Sequence, residues 1–132
     1  MVPELQLAVE SAYRTFANYE IGADIDFAAA VGASDEEHAR LYRALTTTSL
    51  RQLSADTIEA YFEYITAAHY DGTFNASEVR YFLPRALEIL ASGQARSTAS
   101  FIRDHLERIL ERSSAAWPAA EVAMINQVLK AI

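Results

Sequence analysis

Along the stretch from Glu78 to Leu90, read as EVRYFLPRALEIL, apolar residues recur at three- and four-residue steps. Val79, Phe82, Leu83, Ala86, Leu87 and Leu90 therefore fall on one side of an α-helix. A helix this apolar calls for cover on most sides, which makes it the central element of the chain. Pro84 sits inside the pattern, where it lacks the N–H for the Arg80 carbonyl and its ring crowds the same turn, at a cost of roughly 3 kcal/mol. The expectation is a central helix kinked or locally broken at Pro84. If it continues, packing must offset that cost and some donor must satisfy the freed carbonyl.

The same periodicity predicts five further helices. Pro3 opens the first, and Leu5, Val9, Ala12, Tyr13 and Phe16 mark its face to about Tyr19. Residues 20–33 are the least patterned, with Ile25, Phe27 and Val31 expected to tuck against the core. Ser34 with Glu37 forms an S-x-x-E capping box for a second helix, with Ala39, Leu41, Tyr42 and Leu45 inward, weakening at Thr46, Thr47 and Thr48. After a short bridge through Leu50 and Leu53, Ser54 caps a third helix over Ala55–Ala68, with Ile58, Tyr61, Phe62 and Ile65 at helical spacing. Asn75 with Glu78 offers a cap for the central helix, and Gly93 its stop. A fifth helix begins near Ser97 or Thr98 and carries Phe101, Ile102, Leu106, Ile109 and Leu110. Trp117-Pro118 opens the last, with Pro at its first position and a stripe of Val122, Ile125, Val128, Leu129 and Ile132. No strand pattern appears. The fold class predicted is all-α, a compact bundle or short stack of about six helices.

Composition agrees. The 132 residues fit one domain spanning 1–132, and 52% hydrophobic content with only four Gly and three Pro favours a packed helical protein over disorder. No run approaches the roughly 20 apolar residues of a membrane span. The N-terminus lacks a basic segment followed by an unbroken apolar core, so a cytoplasmic protein is expected. Cysteine is absent, which removes disulfides, thiolate zinc sites and Cys nucleophiles.

Net charge is −7 and unevenly spread: residues 1–79 carry 13 acidic and 4 basic side chains, whereas residues 80–132 carry 5 acidic and 7 basic. Between Arg14 and Arg40 lie Glu20, Asp24, Asp26, Asp35, Glu36 and Glu37 without a basic residue. Such a surface disfavours nucleic acid and suits a basic protein, or simply keeps a protein soluble. On the third helix Asp56, Glu59 and Glu63 share one side as a negative ridge, with Arg80 and Arg85 as potential internal partners. Most of the aromatics Tyr61, Phe62 and Tyr64 belong in the core, but a tyrosine such as Tyr64 is a candidate partner contact.

Catalytic and metal chemistry find little support. His38, His69 and His105 form no HExxH or comparable pair. The loop from Asp71 resembles a calcium loop in its alternation but has Ala76 at the sixth position and Phe82 at the twelfth, where Gly and Glu are needed. There is no Gly-rich phosphate loop and no G-x-S-x-G elbow. The reading is no enzyme, no metal and no cofactor; an enzyme would need a cleft where Glu63, His69 or Arg85 converge.

At Leu53-Ser54-Ala55-Asp56 through Tyr61, and again at Phe82-Leu83-Pro84-Arg85-Ala86-Leu87-Glu88, the chain resembles an uncharacterised group of small helical bacterial proteins with L-S-A-x-x-x-x-x-Y followed by F-L-P-R-x-L-E. The resemblance covers roughly residues 41–90. Members of that group often carry a close cysteine pair before the second helix, and here residues 27–31 stand in about that place without one. The resemblance implies the helical fold and no activity.

Two functions follow as expectations. The first is a non-enzymatic interaction protein whose acidic face, through Asp35, Glu36, Asp56, Glu59, Glu63 and Tyr64, binds a basic protein partner, with a toxin-neutralising immunity protein as its sharpest version. The second is a helical module holding a small apolar ligand beside the Pro84 kink, through Tyr61, Tyr81 and Arg85.

Overall fold

The computed structural model describes residues 3–20, 36–68, 76–93, 101–108, 110–111 and 117–132, without the side chains of 37, 38, 64–68, 76, 77, 101 and 105. Six α-helices and no strand occur among the described residues: α1 (Pro3–Thr15), α2 (Glu36–Thr47), α3 (Ala55–Ala68), α4 (Ala76–Ser92), α5 (Phe101–Arg108) and α6 (Ala119–Ala131). A 3-10 turn at Leu50–Gln52 links α2 to α3.

Local chemistry sets the boundaries. α1 ends ahead of the expected Tyr19, because the bonds tighten from Phe16 N–H to the Ala12 carbonyl (3.1 Å) to Ala17 N–H onto Arg14 (3.3 Å). α2 runs through Thr46 and Thr47 instead of weakening at Leu45. Their hydroxyls donate back to the carbonyls of Tyr42 (2.9 Å) and Arg43 (2.6 Å), so the branched side chains bond the helix they were expected to disfavour. Ser54 caps α3 as expected: its Oγ accepts the Thr57 N–H at 3.1 Å. Gly93 ends α4 with φ of +76°, a left-handed conformation open to glycine at little cost. Pro118 stands just outside α6, with φ −54° and ψ 140°, and its carbonyl takes the Glu121 N–H at 3.0 Å. It is thus the cap rather than the first helical residue. Ser34 and Asn75, the other two expected caps, lie outside the described residues.

α4 is central. It packs against α1, α3, α5, α6 and the 3-10 turn, standing between an α1–α6 pair and an α3–α5 pair, with α2 leaning on α3. Val79, Phe82, Leu83, Ala86, Leu87, Ile89 and Leu90 are all buried, on more than one side of the helix. They meet Leu5, Ala8, Ala12 and Phe16 of the first segment, Ile58, Tyr61 and Phe62 of α3, Ile102 and Leu106 of α5, and Ile125 and Val128 of α6 in one continuous core. Side chains of this size contribute about 1.5–3 kcal/mol each when buried. That is enough to carry α4 through the buried Pro84 without the break the sequence suggested. Ile132 was expected inside and is 47% exposed at the end of the chain. Among the described residues no helix is long and apolar enough to cross a membrane.

Candidate functional site: an aromatic groove beside Pro84

Where the end of α1, the 3-10 turn and the middle of α4 meet, they leave an open groove of about 560 Å³. Tyr13, Phe16, Ala17 and Tyr19 form one wall, Ser49, Leu50, Arg51 and Gln52 the second, and Tyr81 and Pro84 of α4 the third. The early end of α1 places Tyr19 here, since the turn after Thr15 swings it toward α4. Tyr81 and Pro84 lie three residues apart and so share a helical face.

Two polar networks fix the rings. The Tyr13 hydroxyl donates to Glu88 Oε1 at 2.6 Å, and Arg85 donates to the same oxygen at 2.7 Å and through Nε to the Leu53 carbonyl at 2.8 Å. In front of Tyr13, the Arg51 guanidinium lies 3.7 Å over the ring and bonds both Glu10 oxygens at 3.1 Å. That hydrogen-bonded arginine holds the Glu10 carboxyl below its ordinary range. The Tyr19 hydroxyl donates to Glu121, and Glu121 Oε1 lies 2.9 Å from Arg80 Nε. Both of the latter atoms are buried and neither makes a well-directed hydrogen bond, so their contact is a charge pair. Arg80 also stacks over Trp117 at 4.3 Å and lies 5.4 Å from the Tyr19 ring. Burial, then the bond to Glu88, pushes the Tyr13 phenol well above its ordinary value; burial and Glu121 likewise raise Tyr19. Tyr81 is raised by burial alone. Among the described residues its hydroxyl, the Ser49 hydroxyl and the Gln52 amide find no hydrogen-bond partner, and all three lie on the groove.

Of the residues expected to bind a ligand here, only Tyr81 lines the groove. Tyr61 is fully buried, donates to the buried Glu78 at 2.7 Å and packs on Phe82 with ring centroids 4.6 Å apart. Arg85 stands behind Tyr13 and acts by fixing Glu88. Tyr13, Phe16 and Tyr19 were not foreseen as site residues, because the helical stripe that placed Tyr13 and Phe16 toward the core does not reveal where the core opens.

The acidic face is shorter than expected. Asp56 and Glu63 are exposed on α3, but Glu59 is 6% exposed and faces inward, so it interrupts the ridge. Glu59 lies next to Ile58 and one turn before Phe62, at the margin of the buried face. Glu36 is exposed on α2 and pairs loosely with Arg40 at 3.7 Å. Asp35 and the Tyr64 side chain lie outside the described residues. Arg80 and Arg85 pair with Glu121 and Glu88. Among the described residues no group of three or more His, Asp or Glu side chains converges to hold a metal. Comparison with protein-family models, with curated proteins and with solved structures finds no match to this chain.

Proposed function

We propose that the protein is a non-enzymatic binding module that holds a small, flat, mostly apolar molecule in the groove beside Pro84. The observation that supports this is the opening itself: a concave site lined by the aromatic Tyr13, Phe16, Tyr19 and Tyr81, with three hydrogen-bonding groups at its edge that find no partner among the described residues, is the usual build of a small-molecule site. Two of its rings are already held by their hydroxyls, so little freedom is lost when a ligand stacks on them. The test is amide-resolved NMR of the labelled protein against a set of flat aromatic fragments. Shifts clustered on Tyr13, Ala17, Leu50, Gln52 and Tyr81, abolished when the exposed Ala17 is replaced by Trp to fill the groove, support the reading. Shifts scattered elsewhere, or unchanged in Ala17→Trp, count against it.

A second reading keeps the acidic surface as a dock for a basic protein, an immunity protein being the sharpest form. What favours it is that Glu36 on α2 and Asp56 and Glu63 on α3 are exposed on helices that pack together, and Glu63 has no cationic partner among the described residues. Recovery of one basic protein in stoichiometric amount, lost at high salt and lost with Glu36, Asp56 and Glu63 all changed to Lys, is the expected outcome. Recovery unaffected by the reversals removes this face.

A further inference from the structure

We infer that the groove selects an uncharged planar aromatic ring over cationic and anionic molecules built on the same ring. The inference rests on the groove being a binding site. Among the described residues Arg51 is the one charged side chain that lines it, and Glu10 takes both of its terminal nitrogens at 3.1 Å. The carboxylates that fix the two lining tyrosines are matched as well: Glu88 behind Tyr13 pairs with Arg85 at 2.7 Å, and Glu121 behind Tyr19 pairs with Arg80 at 2.9 Å. Three arginines thus stand against three glutamates at and directly behind the walls.

A ligand ammonium meets no unpaired carboxylate among the described lining residues, and it faces the Arg51 guanidinium. A ligand carboxylate meets no unpaired guanidinium among the described lining residues. Either charge gives up hydration without a counter-charge in return. A neutral ring gives up only weakly held water and packs on the half-buried Leu50 and Tyr81, while a polar edge reaches the Tyr81, Ser49 and Gln52 groups.

The probes are indole, tryptamine and indole-3-acetate at pH 7, which present one ring with charges of about 0, +1 and −1 from their ordinary amine and carboxyl ionisation. Binding is read by amide NMR. Indole is expected to perturb Ala17, Leu50, Gln52 and Tyr81 and to bind at least about fivefold more tightly than either charged relative, the scale of one unmatched surface charge. Glu10 and Arg51 are half exposed, so their substitution leaves the core intact. Arg51→Gln strips Glu10 of its partner and should move the preference toward tryptamine; Glu10→Gln should move it toward indole-3-acetate. If a charged probe binds the unaltered protein as tightly as indole, or if neither substitution moves the preference, charge selection is wrong while the groove remains a site. If none of the three perturbs the groove at millimolar concentration, the binding-site reading falls with it.

Discussion

The Tyr61 hydroxyl donates a 2.7 Å hydrogen bond to Glu78, a carboxylate that is only 3% exposed at the start of α4. Buried carboxylates are costly unless donors surround them, so this bond joins α3 to α4 through a group that cannot turn to water instead. Tyr61→Phe keeps the ring that packs on Phe82 and removes only the donor. It should lower unfolding free energy by about 1–3 kcal/mol. Urea denaturation checks this, and a loss below a few tenths would mean that Glu78 is sufficiently served by its other contacts.

Arg80 and Glu121 make the complementary case. Their side chains are 13% and 7% exposed, and the pair links α4 to α6. Glu121→Gln strands the guanidinium between Trp117 and Tyr19 and should cost about 3–5 kcal/mol, as for other broken buried pairs. Replacing both, as Arg80→Met with Glu121→Leu, should recover most of that loss. A double-mutant cycle by chemical denaturation measures the coupling, and additive losses would show that the charges act separately.

Alkaline stability should follow the tyrosines. In the folded state Tyr13 and Tyr19 titrate above the ordinary value of 10.0, because burial and a glutamate at each hydroxyl oppose the phenolate. A group with a raised folded pKa contributes stability that is complete below its unfolded pKa and is lost as pH rises toward the folded one. Unfolding free energy should therefore fall above about pH 10, where the unfolded tyrosines ionise first. Tyrosinate absorbance together with urea melts at stepped pH tests this, and Tyr13→Phe should flatten part of the decline.

Pro84 sets stability against shape. Pro84→Ala restores an N–H to the turn of Arg80 and lifts a cost of about 3 kcal/mol, while removing about two buried carbons worth about 0.8 kcal/mol each. The net expectation is a gain of about 1 kcal/mol in thermal or urea unfolding, with the groove widened on the side of Tyr81. A loss of stability would show that the ring is a packing element in its own right.

How much of this was legible depended on the range of the interaction. α3 begins at the expected residue and buries the expected face because Ser54 and the stripe of Ile58, Tyr61 and Phe62 act within a turn or two. α4 was identified as central because so apolar a helix calls for cover on most sides. Thr46 and Thr47 misled through propensity, a weak prior that context overrides; in the helix their hydroxyls bond carbonyls four residues back. The site was hardest. Tyr13 finds Glu88 across 75 positions and Tyr19 finds Glu121 across 102, and no local spacing encodes such pairings. Glu59 shows the same limit: helical geometry gave its direction, but only the packing of α3 reveals where the margin of the buried face falls.

The chief partners of α1 are α4 and α6, so among the described residues the first helix closes against the last. During synthesis Leu5, Val9 and Phe16 leave the ribosome long before Ile125 and Val128 of α6, which help to cover that part of the core. For that interval α1 is an apolar helix without a home. Synthesis of α6, rather than the emergence of any early hairpin, is the event that seals this face of α1.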